Sequence, residues 1–191
     1  MNVILASQSP RRRELMEKFH IPFSVQVADI DETFSPEKDP CDEVARVSRL
    51  KAEAVPHKPE DVVIAADTIV VCDGKILGKP KDTQDAKKML TLLSGRDHQV
   101  MTGMTVLHGG KATSCTEVTS LHFRPLSEKE ILAYICSGEP MDKAGGYGIQ
   151  GGGALFAEKI EGDYFNVVGL PVCRLGQILR TVAPELWEEN Q

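Results

Sequence analysis

A chain of 191 residues, 41% hydrophobic and 26% charged, has the length and composition of a globular protein with one substantial core and room for a second lobe. No apolar run approaches the ~20 residues that span a bilayer, and no basic segment leads into a long apolar core as in a signal peptide, so a cytoplasmic protein without a membrane partner is expected. The formal net charge of -6 speaks against a polyanion such as duplex DNA and leaves a local basic cluster as the route to any phosphate binding.

Residues 2–7 read as a short buried strand. Ser9 is an N-cap candidate for the helix that follows, Pro10 suits its first position and Glu14 strengthens the start; Leu15, Met16 and Phe19 supply its apolar face to about residue 19. Residues 23–28 alternate as a half-buried strand. The acidic, proline-bearing stretch DIDETFSPEKDP is a loop, and a helix over about 41–54 carries Val44, Val47, Leu50 and Ala54 on one face. Residues 62–66 are the most apolar strand candidate; they continue through Thr68 to Cys72, turn at Asp73-Gly74 as a hairpin and return at Lys75-Ile76-Leu77. Asp82 caps a helix over about 83–93 that ends near Gly95. Two β-rich runs, about 98–108 and 113–123, flank Gly109-Gly110 as a long hairpin. Ser127 and Glu130 open a helix over about 127–137, stopped by Gly138. The glycine-rich KAGGYGIQGGGALF re-enters a strand, KIEGDYFNVVGLP reads as a second hairpin, and Pro171 opens a last helix to about 183, after which a frayed tail over about 184–191 is expected. Strands and helices mixed throughout, with hairpins in the second half, predict an α/β protein with a mixed sheet, in a single domain over residues 1–191.

Four places can carry chemistry. Ser7 to Arg13 joins a strand end to a helix start, where backbone N–H groups attract anions and guanidiniums grip phosphate; the bland alternative is a solvated basic face, and on a helix at most two of the three arginines can face one ligand. Asp67 interrupts the apolar run VVIAADTIVV, and a carboxylate there must be paired, metal-bound or hydrogen-bonded at a strand bend. Asp29, Asp31 and Glu32 cluster in a loop and suit a hard divalent cation such as Mg2+, although most acidic loops are simply solvated. GYGIQGGGALF matches neither the Walker A pattern nor a strand-to-helix GxGxxG; its glycines allow close backbone approach to a ligand or serve a demanding turn. Lys51 and Lys79 complete a cationic set, each also readable as a surface lysine. The five cysteines form no CxxC and the five histidines no HExxH, which argues against a disulfide framework or a zinc site. Carboxylates for Mg2+, cations for phosphates and a polar loop for a base point to hydrolysis of a nucleotide phosphate, without identifying the bond or the base.

LASQSPRRREL, AADTIVV, GKP, LSGRDHQVMTG, GEPMDKAGGYGIQG and GDYFNVVGLP, in this order from about residue 3 to about 175, closely resemble the Maf family of nucleoside triphosphate pyrophosphatases. The resemblance implies a fold related to the inosine triphosphate pyrophosphatases: an elongated mixed β-sheet with flanking helices and a central cleft between two lobes, in chains that often form homodimers. It implies cleavage between the α- and β-phosphates of a nucleotide with a divalent cation, Mg2+ or Mn2+, as cofactor. Matched by position, Asp67 is the proton acceptor and, with Glu32, a metal-site acid; Ser7, Arg12, Lys51 and Lys79 line the phosphates; Arg11, Thr68 and Gln150 set specificity. These last three fit the subgroup acting on dTTP and UTP, with modified pyrimidine nucleotides as further substrates to weigh. The subgroup acting on 7-methyl-GTP resembles SPWR and SDQ, with glutamate in place of Gln150. This chain departs at Gly146, where the family pattern is KAGAYGIQG.

Two other classes of function compete. A non-catalytic nucleotide-sensing regulator of cell division would not need a water-activating acid, so Asp67 together with Glu32 and the lysines favours an enzyme. A nucleic-acid-binding module built on Arg11, Arg12 and Arg13 is disfavoured by the net charge of -6 and the single basic cluster.

Overall fold

The computed structural model of the chain describes residues 1–35 and 37–188, so Pro36 of the acidic loop and residues 189–191 of the tail lie outside the described residues. Among the described residues seven strands form one mixed sheet, in the order β2-β1-β3-β5-β6-β7 with β4 paired to β3. In chain order these are β1 (Val3–Ala6), β2 (Ser24–Gln26), β3 (Val62–Cys72), β4 (Lys75–Leu77), β5 (Asp97–His108), β6 (Lys111–Phe123) and β7 (Ala157–Glu161). The helices are α1 (Pro10–Glu17), α2 (Pro40–Ala54), α3 (Thr83–Leu93), α4 (Glu128–Cys136), α5 (Tyr164–Val168), α6 (Val172–Val182) and α7 (Glu185–Glu188). The α/β class with a mixed sheet and flanking helices is the one expected from the sequence.

The chain divides into two compact units: Met1–Asp67, Thr102–Glu117 and the residues from Gly169 onward in one, Thr68–Met101 and Val118–Val168 in the other. In the first unit β1 pairs in parallel with both β2 and β3, Ile4 opposite Ser24 on one side and Val63 on the other. Side chains alternate between faces along a strand. Ile4 and Ala6 of β1 and Val63 and Ala65 of β3 therefore share one face, and they pack with Ala52, Val55 and Leu107. Residues Glu43, Val44, Val47, Ser48 and Ala52 of α2 are buried. Leu50, expected on that face, is 36% exposed and Ala54 is exposed too. The hydrophobic stripe follows Val44, Val47, Ser48 and Ala52, a period that the buried Ser48, bonded to the Thr105 hydroxyl at 2.8 Å, hides from an apolar count. The half-buried strand expected over 23–28 also shortens: β2 is the outer strand, and Val25 and Val27 are 44% and 48% exposed.

In the second unit the local signals hold. Asp73 and Gly74 both have positive φ, 49° and 72°, as a two-residue hairpin turn requires, and Cys72 pairs with Lys75. Asp82 accepts from the N–H of Asp85 at 2.8 Å and caps α3, and Ser127 and Glu130 close a reciprocal capping box on α4. The second hairpin expected in KIEGDYFNVVGLP is not there. β7 pairs with β6, and the chain then enters α5, because the Asp163 carboxylate accepts the N–H of Phe165 at 2.8 Å and starts a helix instead of a return strand. The fully buried Asn166 holds that helix by donating to the Val100 carbonyl at 3.0 Å and the Thr119 hydroxyl at 2.9 Å. Where a frayed tail was expected from about 184, α7 buries Leu186 and sets Trp187 4.4 Å from the Arg180 guanidinium.

Candidate active site

The end of β1 builds a polar turn. Ser7 is 8% exposed, and its hydroxyl accepts the N–H of Ser9 at 3.2 Å and an Arg12 guanidinium N–H at 3.4 Å. Ser9 caps α1 by accepting the N–H of Arg12 at 3.4 Å, with Pro10 in the first turn. This places Arg12 over Ser7, where its Nε donates to the Gly169 carbonyl at 2.8 Å. Burial lowers the pKa of the Arg12 guanidinium; nearby Asp67 raises it, Arg11 lowers it and Glu32 raises it. A guanidinium remains charged through such shifts, so Arg12 stays a cation beside two carboxylates. Arg13 turns outward to Glu17 at 3.8 Å, so the helix separates the consecutive arginines as its geometry demands.

Strand parity places the central acid. Val63, Ala65 and Asp67 point to one face of β3, and the first two pack under α2. Asp67 is 8% exposed, and Lys51 from α2 reaches it at 2.6 Å from Nζ to Oδ1. The same ammonium lies 3.1 Å from Oε1 of Glu32. One half-buried cation thus bridges the strand acid and the loop acid, which satisfies the carboxylate that the sequence placed inside an apolar run. Of the other two loop acids, Asp31 accepts the N–H of Thr33 at 2.9 Å in a local turn and Asp29 is exposed, so the cluster contributes Glu32 to the site and not all three.

The structure therefore gathers Ser7, Arg12, Glu32, Lys51 and Asp67 within the first unit, with Arg11 close enough to Arg12 to affect its charge. Thr68, half-buried, follows Asp67 on β3 and opens the second unit. Lys79 is exposed between β4 and α3, and Gln150 is exposed at the tip of a glycine turn. These two segments of the second unit meet through the N–H of Gly145, which donates to the Gly78 carbonyl at 3.0 Å. Gly146 has a φ of 72°, so glycine at this departure from the family pattern relieves a left-handed backbone.

Two supports escaped the sequence reading. Gly169, with a φ of 123°, presents the carbonyl that anchors Arg12; its signal is a glycine two residues before Pro171. Glu43, 2% exposed in the first turn of α2, accepts the N–H of Ser35 at 2.8 Å and binds Arg46 at 2.9 Å, while Arg46 donates to the Thr33 carbonyl at 2.8 Å. This network ties the loop after Glu32 to the helix that carries Lys51. Its signal was Glu43 and Arg46 three residues apart behind the Asp39-Pro40 helix start.

The Maf-like protein family matches residues 2–182. The chain is 48% identical over 181 residues to a protein of Alkaliphilus metalliredigens (strain QYMF) named dTTP/UTP pyrophosphatase, covering 93% of this chain and 94% of that one. A protein of the same name from Carboxydothermus hydrogenoformans is 50% identical over 184 residues, 94% of this chain and 98% of that one. Among solved structures, a HAM1 protein from Coxiella burnetii superposes with a TM-score of 0.52 at 14% identity over 95% of this chain and 99% of that one, a likeness of fold alone. The motifs that carried the resemblance, the sheet they fold into and a family match across nearly the whole chain agree: this protein belongs to the Maf family.

Proposed function

We propose that the chain is a nucleoside triphosphate pyrophosphatase that hydrolyses dTTP and UTP to the monophosphate and pyrophosphate. The observation that carries this reading is Lys51 held between Glu32 and Asp67, with the Arg12 guanidinium beside them. Such an arrangement combines an acid able to accept a proton with cations able to bind a triphosphate. The names of relatives that are 48% and 50% identical support the bond and the substrates. They also speak against a purely regulatory protein.

Asp67 accepts the proton of a water whose oxygen attacks phosphorus; the bond to the leaving pyrophosphate breaks and the electron pair goes with the leaving oxygen. Arg12 and Lys51 offset the charge that builds on the phosphate oxygens, and Ser7 holds the Arg12 guanidinium in place. Lys79 adds a phosphate contact, while Arg11, Thr68 and Gln150 choose the base, the amide of Gln150 offering both a donor and an acceptor to a pyrimidine edge. Glu32 and Asp67 also fit a divalent cation: their oxygens converge on one ammonium, and Mg2+ binds through one or two carboxylates together with substrate phosphates. No group of three His, Cys, Asp or Glu among the described residues is arranged to hold a metal ion, so the remaining ligands would be water and phosphate oxygens. Bound there, Mg2+ or Mn2+ supplies charge neutralisation and polarisation of the phosphates.

The test is a nucleotide panel with Mg2+ and with excess chelator. The expected result is the highest kcat/KM for dTTP and UTP, equal amounts of monophosphate and pyrophosphate, and loss of turnover in chelator. Equal turnover of purine triphosphates, or full activity in chelator, would contradict it.

A further inference from the structure

The glycines around Gln150 do a job that the sequence does not reveal. Gly148, Gly151, Gly152 and Gly153 are not among the residues with positive φ, so backbone conformation does not require glycine at these positions. Space does. A Cβ on Gly151 would lie 2.3 Å from Oε1 of Glu139, and one on Gly148 would lie 2.9 Å from the same oxygen and 2.6 Å from the Lys143 side chain. A Cβ on Gly152 would lie 3.1 Å from the Tyr134 ring, and one on Gly153 would lie 2.7 Å from the Gly148 carbonyl oxygen and 3.1 Å from the Tyr134 hydroxyl. The turn packs against Lys143 and is wrapped around Tyr134 and Glu139.

Those side chains also fix it by hydrogen bonds. The N–H of Gly148 donates to the Tyr134 hydroxyl at 3.0 Å, and that hydroxyl donates to Oε1 of Glu139 at 2.9 Å. The N–H of Gly152 donates to Oε2 of the same carboxylate at 2.9 Å. Gly151 closes the turn by donating to the Gly148 carbonyl at 3.2 Å. Gln150 stands exposed between two anchored residues, each two positions away. The base of the clamp is itself held: Lys143 donates to the Glu139 carbonyl at 2.8 Å, and the Tyr134 ring packs edge-on against Phe156 at 4.9 Å. Burial pushes the Tyr134 phenol well above its ordinary pKa, so it stays protonated and can donate.

We infer that Tyr134 and Glu139 form a positioning clamp that sets the orientation of the Gln150 turn and so sharpens selection of the base. The inference rests on the proposed role of Gln150 as a reader of the pyrimidine. A glycine-rich turn has more conformations than any other to lose, and without the clamp Gln150 would sample many orientations. A polar group rejects the wrong base only while it is held where the right one pairs with it.

The experiment measures kcat and KM for dTTP and dATP, with the melting temperature in parallel, in four variants: Gln150→Ala, Tyr134→Phe, Glu139→Gln and the double variant Tyr134→Phe/Gln150→Ala. Tyr134→Phe keeps the ring and deletes two hydrogen bonds, and Glu139→Gln is a near-isosteric second probe should the first fold poorly. The expected result is that Gln150→Ala and Tyr134→Phe each lower the preference for dTTP over dATP about tenfold, chiefly through KM for dTTP. Glu139→Gln moves it in the same direction. In the Gln150→Ala background Tyr134→Phe then has no further effect on the preference, because the side chain it positions is gone. If Gln150→Ala lowers the preference but Tyr134→Phe and Glu139→Gln do not, or if the Tyr134→Phe effect persists undiminished in the double variant, the clamp is overturned and the base-reading role stands. If Gln150→Ala itself leaves the preference unchanged, the base-reading role falls and the clamp's role in selectivity falls with it.

Discussion

At the scale of single residues, the informative feature is a charged group that the surrounding sequence should not tolerate. Asp67 was visible because it broke an apolar run, and it proves to be paired with Lys51 at 2.6 Å. Lys51 could be placed in a cationic set with Lys79 but not told from a surface lysine by pattern, since the helix face that carries it is set by contact with β3. Glu43 left only a faint signal, its i,i+3 spacing to Arg46. A buried carboxylate in a first helical turn reads as an ordinary polar residue until its partners Arg46, Lys38 and the Ser35 N–H are known. Hydrogen bonds from Arg46 and Ser35 outweigh burial and hold its pKa at about 2, against 4.5 for a free glutamate. The folded-state value is depressed, so its stabilising contribution is complete above the unfolded value and is lost as pH falls from 4.5 to about 2. Urea midpoints of the wild type and of Glu43→Gln, taken across that range, should therefore differ most near neutrality and converge at the acid end. A gap that is independent of pH would show that the carboxylate is not held as described.

At the scale of elements, caps and tight turns were legible because their chemistry is local. Ser9, Asp82 and Ser127 cap where expected, and Asp73-Gly74 and Gly109-Gly110 turn where expected, with both residues of each pair at positive φ. The errors arose where a local signal has two meanings. Gly162-Asp163 resembles a hairpin turn, but the Asp163 side chain reaches forward to cap α5. Leu50 is apolar but lies off the buried stripe of α2. The contact that seats α2 was not legible either. Gly103 lies in β5, where glycine is normally unfavourable, and a Cβ there would come within 2.3 Å of the Val44 carbonyl oxygen. Gly103→Ala should thus force α2 off the sheet and cost about 3 kcal/mol, readable as a fall in the denaturant midpoint. An unchanged midpoint would mean that helix and strand do not meet this closely. Because α2 carries Lys51, this packing contact also sets the spacing between the ammonium and Asp67.

At the scale of the whole molecule, the mixture of strands and helices gave the fold class, but the order of the sheet was out of reach. Parallel pairing of β1 with β3 joins residues some 60 positions apart, such as Val3 and Val62, and no local pattern encodes it. That pairing makes the site possible: it brings the Ser7 turn at the end of β1 beside Asp67 in the middle of β3, while α2, which leads into β3, supplies Lys51. No helix among the described residues is long and apolar enough to cross a membrane. We propose that the residues of this site hydrolyse the bond between the α- and β-phosphates, with Asp67 as proton acceptor. The most direct measurement follows the products of dTTP under single-turnover conditions, for the wild type and for Asp67→Asn, with the melting temperature of each. The wild type should release thymidine monophosphate and pyrophosphate in equal amounts; the variant should lose about 100- to 10,000-fold in rate while retaining a near-wild-type melting temperature. Orthophosphate as the first product, or an Asp67→Asn variant that keeps the wild-type rate, would contradict the account.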